Sequence, residues 1–108
     1  MRSHLNITGE LLIGIEYKGV VHKHFELQPV RVRDTIEAEK ATVGKSTVEF
    51  MIAILAKQIV KLGAVPEDAI TVDLLCEMYD DDLEVFQKAR DGLKKKLMES
   101  AKEQKTLD

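Results

Sequence analysis

The sequence predicts an α+β fold in which an N-terminal β-hairpin packs on three or four α-helices. Three observations indicate this fold: residues 11–27 form two apolar runs around Lys18-Gly19, three capping-box sequences follow, and one of the helical segments carries an unbroken apolar stripe. The chain has 108 residues, 44% of them apolar, which suffices for one hydrophobic core. We therefore expect a single domain over residues 1–108, with frayed ends at about residues 1–5 and 103–108.

The hairpin is predicted to pair residues 11–17 with residues 20–27. Gly19 supplies the positive φ angle that a tight turn needs, and Pro29 ends the second strand because proline cannot donate a ladder hydrogen bond. The expected cross-strand pairs are Tyr17–Val20, Ile15–His22, Ile13–His24 and Leu12–Phe25.

Side chains alternate along a strand, and the hairpin therefore has two faces. The face expected to join the core consists of Leu12, Val21, Phe25 and Leu27. The other face carries Ile13 and Ile15 beside two histidines, so apolar residues lie on both faces. Because Ile13, Ile15 and Val20 have no assigned cover and one strand edge is unpaired, we expect the chain to form homo-oligomers.

Two helices are predicted after the hairpin. Asp34 and Glu37 form a capping box for a helix over residues 35–41, and Ser46 and Glu49 form a second one. The second helix is expected to run to residue 62, where Gly63 takes the left-handed conformation that ends many helices. Its apolar stripe, expected to be buried, is Val48, Ile52, Leu55, Ile59 and Leu62.

The C-terminal third predicts a helical turn at residues 66–68, a helix over residues 72–79 capped by Thr71, and a last helix to about Ala101. Asp81 and Glu84 form the capping box of this last helix. Its expected apolar stripe is Leu83, Phe86, Ala89, Leu93 and Leu97.

Composition excludes several classes of protein. The net charge of −3 argues against binding to a nucleic-acid backbone as the main task, since that binding depends on excess Lys and Arg. A single cysteine forms no intramolecular disulfide, which is typical of a reducing cytosol. Neither a membrane-spanning apolar run nor the layout of a signal peptide is present, so we expect a cytoplasmic protein without a membrane partner.

Five short features of the sequence have a chemical interpretation and a simpler structural one. Gly44-Lys45-Ser46 copies the end of a phosphate-binding loop but lacks its first glycine and preceding strand, so helix capping is favoured. His22 and His24, with His4 as a third ligand, could bind a metal, but partly exposed strand histidines are the preferred interpretation.

Asp80, Asp81 and Asp82 with Glu84 lack the spacing of a calcium loop, which favours a solvated helix start. Cys76 lies in an apolar segment and is expected to be a buried, inert thiol. The lysines at 94–96 are interpreted as a solvated helix face. We predict no catalytic, cofactor-binding or metal-binding residues and therefore no enzyme.

Residues 10–97 resemble the small tail assembly chaperones of contractile-tailed, Mu-like and related phages and prophages. The resemblance depends on a strand ending in Leu27-x-Pro29, Leu62-Gly63, Ile70-Thr71, and Asp81-Asp82-Leu83 before the last helix. It implies a non-enzymatic protein of the bacterial host cytoplasm that keeps the long helical tape measure protein soluble and helps the tail tube to form around it.

The resemblance also implies a longer product, made by ribosomal slippage, whose extra domain engages the tail tube. Leu93-Lys-Lys-Lys-Leu97 is where slippage is expected, although three lysines near a helix C-terminus are also explained by the helix dipole. A chaperone needs adaptable apolar contacts, and the residues predicted to bind the partner are Ile13, Ile15, Val20, Met51, Ile54 and Met78. The alternative is a small nucleic-acid-binding regulator with a helix-turn-helix in residues 66–89.

Overall fold

A computed structural model describes residues 5–104 and confirms the α+β fold. The antiparallel sheet has the strand order β1-β2-β3. Two α-helices lie between β2 and β3 in the chain, and two more follow β3. The elements are β1 (Ile7–Tyr17), β2 (Val20–Leu27), α1 (Val32–Ala41), α2 (Thr47–Gln58), β3 (Ile59–Leu62), α3 (Val72–Leu75) and α4 (Asp80–Glu103).

The hairpin turn forms where the sequence predicts it. Lys18 and Gly19 join β1 to β2 with φ angles of 51° and 81°, which a two-residue type I′ turn requires. The predicted pairs next to the turn are confirmed, and they are Tyr17–Val20 and Ile15–His22.

Farther from the turn the predicted register is wrong. Residues 11–14 of β1 bulge out of the ladder, so that Glu10 pairs with His24 and Gly9 pairs with Phe25. The expected pairs Ile13–His24 and Leu12–Phe25 therefore do not form. Gly9 accommodates this register because a Cβ atom there would lie 2.7 Å from Cζ of Phe25. A bulge also changes which side chains face the core, and Ile15 is consequently buried.

The segment expected to end the long helix is a strand. α2 stops at Gln58, and β3 pairs with β2 through Leu62 opposite Phe25 and Ile59 opposite Leu27. The sheet continues on both sides of this pairing, since Gln28 N donates to Gln58 O at 2.8 Å and Gly63 N donates to His24 O at 2.7 Å. Gly63 has the predicted positive φ, 52°, but it follows a strand.

Of the three predicted capping boxes, one is confirmed and one is shifted. The third, that of Asp81 and Glu84, is wrong, because α4 begins at Asp80 with Tyr79 as its N-cap residue. Ser46 Oγ accepts from Glu49 N at 3.1 Å, and Glu49 Oε1 accepts from Ser46 N at 3.1 Å, which confirms the start of α2. α1 begins earlier than predicted because Asp34 is its third residue and accepts from Arg31 N at 3.0 Å.

The C-terminal elements follow the predicted order with different lengths. A 3-10 turn spans Glu67–Ala69, and Thr71 Oγ1 accepts from Leu74 N at 3.2 Å to cap α3. α3 ends at Leu75 rather than at Tyr79, because Tyr79 is extended and starts α4. The predicted frayed ends fall largely outside the described residues, but Leu5 is buried and α4 continues to Glu103.

Two hydrophobic cores hold these elements together. The main core lies between the sheet, α2 and α4, where the rings of Phe25 and Phe86 pack with their centroids 4.6 Å apart. The corner core joins α1 to α2 through Ala38, Ala53 and Ile54. The buried residues of the main core are Leu11, Ile15, Phe25, Leu27, Ile52, Leu55, Ile59, Leu62, Val65, Ile70, Leu75, Phe86 and Leu93.

Three residues expected in the core are exposed, and they are Leu12, Val21 and Val48. Leu12 lies in the bulge and Val21 lies on the outer side of the hairpin, because the bulge changes the inward face of the sheet. None of the helices within residues 5–104 is long and apolar enough to cross a membrane.

Candidate partner-binding surfaces

The carboxylate of Asp82 holds the bulge of β1 in place. Its Oδ1 accepts from Leu12 N at 2.8 Å and from Ile13 N at 3.1 Å, and its Oδ2 accepts from Gly14 N at 2.8 Å. Asp82 is completely buried, so the prediction that the whole acidic cluster is solvated is wrong for this residue. These bonds satisfy three backbone donors that the bulge removes from the ladder.

The bulge displays apolar side chains on the hairpin surface. Leu12 is 66% exposed and Ile13 is 40% exposed, while Val20 and Val21 on β2 are 56% and 54% exposed. Val21 lies directly over Gly14, where an added Cβ atom would overlap its side chain. We call Leu12, Ile13, Val20 and Val21 the hairpin patch.

The six residues predicted to bind a partner lie in different environments. Ile13 and Val20 belong to the hairpin patch, and Met51 and Met78 are half-buried. Ile15 lies in the main core and Ile54 lies in the corner core, and both side chains are buried. The sequence predicts Leu12 and Val21 in the core, and their exposure depends on the bulge.

A groove of about 610 Å³ lies between α4 on one side and α2 with the segment that joins β2 to α1 on the other. Met51 and Val30 line one side, and the α4 residues Arg90, Lys94 and Leu97 line the other. Of this lining, the sequence predicts Met51 as a partner-binding residue but not Gln58 or Arg90. These two residues lie far apart in the chain and give no local pattern.

The motif at residues 44–46 caps a helix. The carboxylate of Glu49 accepts from both the backbone N and the Oγ of Ser46, so it occupies the helix start where a phosphate would bind. The hydrogen bonds to Ser46 lower the pKa of Glu49. This arrangement confirms the predicted helix capping.

The two strand histidines have different surroundings. His22 is buried, and its Nδ1 accepts from Ala64 N at 3.2 Å, while His24 is exposed. The prediction of two partly exposed histidines is therefore wrong for His22, which the bulge places on the inner face beside Ile15. Within residues 5–104, no three His, Cys, Asp or Glu side chains converge as metal ligands.

Cys76 and the lysine run lie on the surface. Cys76 is exposed, which corrects the prediction of a buried thiol. It follows α3 as the C-cap residue, and its neighbour Leu75 takes the buried position. The lysines at 94–96 are exposed, and Lys96 Nζ donates to Asn6 O at 2.8 Å.

No protein-family model, curated protein or solved structure matches this chain. The fold and its surfaces together describe a small α+β domain with an exposed apolar hairpin and a groove along its longest helix.

Proposed function

We propose that this chain is a non-enzymatic tail assembly chaperone that binds the tape measure protein in the cytoplasm of a bacterial host and assists tail tube assembly. The hairpin patch is the observation that carries the proposal. Four large aliphatic side chains on two adjoining strands are each at least 40% exposed, and large exposed apolar side chains concentrated on one element are typical of protein-binding sites.

The support beneath the patch suits a binding surface. Asp82 fixes the backbone of residues 12–14, so the patch does not have to be ordered when a partner binds, and the entropic cost of binding is reduced. Aliphatic side chains without a directional polar requirement accept many apolar helices, as a chaperone for a long helical chain requires.

Co-expression with the tape measure protein of the same phage or prophage tests the proposal. We expect the tape measure protein to be soluble with the wild-type chain and largely insoluble with Val20→Lys, because a lysine in the patch opposes apolar burial. Val43→Lys is the matched control, since Val43 is an exposed valine in the loop between α1 and α2. A tape measure protein that is equally soluble with and without the chain would remove the chaperone assignment.

The hairpin patch also supports the expected self-association. β3 covers one edge of the hairpin and Asp82 occupies three donors of β1, so copies would associate through side chains and not by adding strands. Sedimentation at about tens of micromolar should show dimers or larger species for the wild type and monomers for Val20→Lys. A monomeric wild type would contradict the self-association.

The longer product that engages the tail tube is tested by mass spectrometry of the protein made from its native operon. The proposal expects a second species whose sequence departs from this chain near the lysines at 94–96. A single species that ends at Asp108 would eliminate the longer form and leave tape measure binding untouched.

The nucleic-acid alternative makes a different prediction. Residues 66–89 contain the four-residue α3 and the start of α4, with acidic residues throughout. A DNA-binding regulator would be retained on heparin at low salt and would elute when salt is added, whereas the chaperone should flow through.

A further inference from the structure

The floor of the groove along α4 contains a buried hydrogen-bond network centred on Gln58. The Gln58 side chain is 3% exposed, its Nε2 donates to Gln28 O at 3.2 Å, and its Oε1 accepts from Arg90 Nε at 2.7 Å. The backbone of Gln28 donates in turn to Gln58 O at 2.8 Å. Both polar atoms of the glutamine side chain are therefore engaged, which fixes the orientation of the Arg90 side chain.

The bond to Gln58 engages one of the five N–H groups of Arg90. A guanidinium group has four more N–H groups on its two terminal nitrogens, and Arg90 forms no salt bridge with any carboxylate of residues 5–104. Two terminal nitrogens in a fixed plane match the geometry of a carboxylate. The half-buried Arg90 is thus oriented by the fold without an acidic partner in the described part of the chain.

The rest of the groove combines positive charge with apolar walls. Lys94 lies one helical turn after Arg90, and Asp91 is the single acidic residue of the lining, so the groove is positive on a chain of net charge −3. Met51, Val30 and Leu97 form the apolar walls. Along α4 the lining spans residues 87–97, which corresponds to about 15 Å, or three turns of a helix laid alongside.

We propose that this groove binds an amphipathic helical segment of the partner protein, whose acidic side chain pairs with Arg90 and whose apolar stripe contacts Met51, Val30 and Leu97. Helices that bind in grooves use apolar residues at a spacing of three and four, and the charge of the groove selects those with an acidic residue beside the stripe. The inference rests on the proposed function, which supplies a helical partner. It adds that the partner helix must carry an acidic side chain.

A pair of synthetic peptides of about 20 residues tests the inference, since this length supports a helix. One peptide carries a leucine stripe flanked by glutamates, and the other has lysines in place of the glutamates. Fluorescence anisotropy of the labelled peptides should show that the wild-type protein binds the glutamate peptide and binds the lysine peptide at least tenfold more weakly.

Variants of the groove sharpen the test. Arg90→Gln should weaken binding of the glutamate peptide about tenfold to a hundredfold, and Arg90→Lys should give an intermediate loss because charge is kept without the planar fork. Gln58→Glu should also weaken binding, because it supplies Arg90 with an internal carboxylate. Lys88→Gln, an exposed substitution on α4 outside the groove, should leave binding unchanged, and thermal melting verifies that each variant is folded.

The inference is overturned by equal binding of the two peptides, by unchanged binding in Arg90→Gln, or by no binding of either peptide up to about 1 mM. Tight binding of a DNA duplex that Arg90→Gln abolishes would overturn it in favour of phosphate recognition. If the peptides bind as expected but the chain does not change the solubility of the tape measure protein, the proposed function is removed and the inference about the groove is kept. If the tape measure protein stays soluble with Arg90→Gln, the inference about the groove is removed and the proposed function is kept.

Discussion

The helices α4 and α1 are attached to the molecule in different ways. α4 places Phe86 and Leu93 in the main core, and its Asp82 carboxylate binds three backbone N–H groups of β1. α1 packs on α2 with a single buried residue, Ala38. Stability is therefore concentrated where α4 meets the sheet, and α1 is expected to contribute much less.

The polar contacts of α4 are also stronger than those of α1. The carboxylate of Asp82 is buried, whereas the link between α1 and α2 is an exposed ion pair in which Lys57 Nζ lies 2.6 Å from Glu37 Oε1. The hydrogen bond and the charge of Lys57 lower the pKa of Glu37, but exposed pairs of this kind contribute little to stability. Four substitutions test the contrast, from the largest expected effect to the smallest.

Asp82→Ala is expected to have the largest effect. It leaves the buried N–H group of Gly14 and the part-buried N–H groups of Leu12 and Ile13 without their acceptor. We expect a loss of about 3–5 kcal/mol in the free energy of unfolding, because an unsatisfied buried donor costs about 1–3 kcal/mol and a donor that water reaches costs less. Urea unfolding measures the loss. Asp81→Asn, at an exposed position one residue away, should cost less than about 1 kcal/mol. Similar small losses for both variants would mean that water replaces the Asp82 carboxylate.

Leu55→Ala tests the main core from the α2 side. Leu55 is 2% exposed, and its truncation should destabilise the fold by about 2–5 kcal/mol through lost burial and a cavity. Val48→Ala, on the same helix but exposed, should change stability by less than about 0.5 kcal/mol. A loss of less than about 0.5 kcal/mol for Leu55→Ala would contradict the packing of α2 against the sheet.

The hairpin shows how much of this contrast could be predicted from the sequence. The turn at Lys18-Gly19 and the pairs beside it follow from local turn chemistry. Two glycines inside β1, Gly9 and Gly14, are the available signal of a bulge. Nothing local distinguishes Asp82 from Asp80 or Asp81, however, because its bonds join residues 68–70 positions apart in the chain.

The sequence predicts a helix over Ile59–Leu62, where the structure has a strand, for a related reason. Ile59 and Leu62 fit the apolar stripe of α2, and both are buried as the stripe predicts, but their backbone pairs with β2. Short apolar runs are compatible with helix and strand, and the choice depends on a sheet edge formed by a distant segment. The groove escaped prediction likewise, since Gln58 and Arg90 meet only in the folded chain.

Ala38→Gly measures the weaker attachment of α1. Ala38 is 1% exposed, and glycine removes its buried methyl group and lowers helix propensity, which together should cost about 1–2 kcal/mol. Ala41→Gly, at the exposed end of α1, should cost less than Ala38→Gly. If Ala38→Gly were as destabilising as Leu55→Ala, α1 would belong to the same cooperative unit as the main core, and the contrast between the two helices would not hold.

Glu49→Gln is expected to have the smallest effect and a defined pH dependence. The hydrogen bonds from Ser46 lower the pKa of Glu49 in the folded chain. A lowered pKa means that the ionised carboxylate stabilises the fold above its unfolded pKa, and that this stabilisation is lost as the pH falls through the folded pKa.

Glutamine can still accept from Ser46 N in a capping box, so the variant loses the charge at the helix start and keeps the hydrogen bond. The midpoint of urea unfolding should therefore be slightly lower for Glu49→Gln than for the wild type at neutral pH, and the two should converge at an acid pH below the folded pKa, where the wild-type carboxyl is protonated. Glu77→Gln, at an exposed position outside the first turn of any helix, provides the control. Equal midpoints for wild type and Glu49→Gln at neutral pH would show that the charge of Glu49 contributes nothing, and that the start of α2 depends on hydrogen bonding alone.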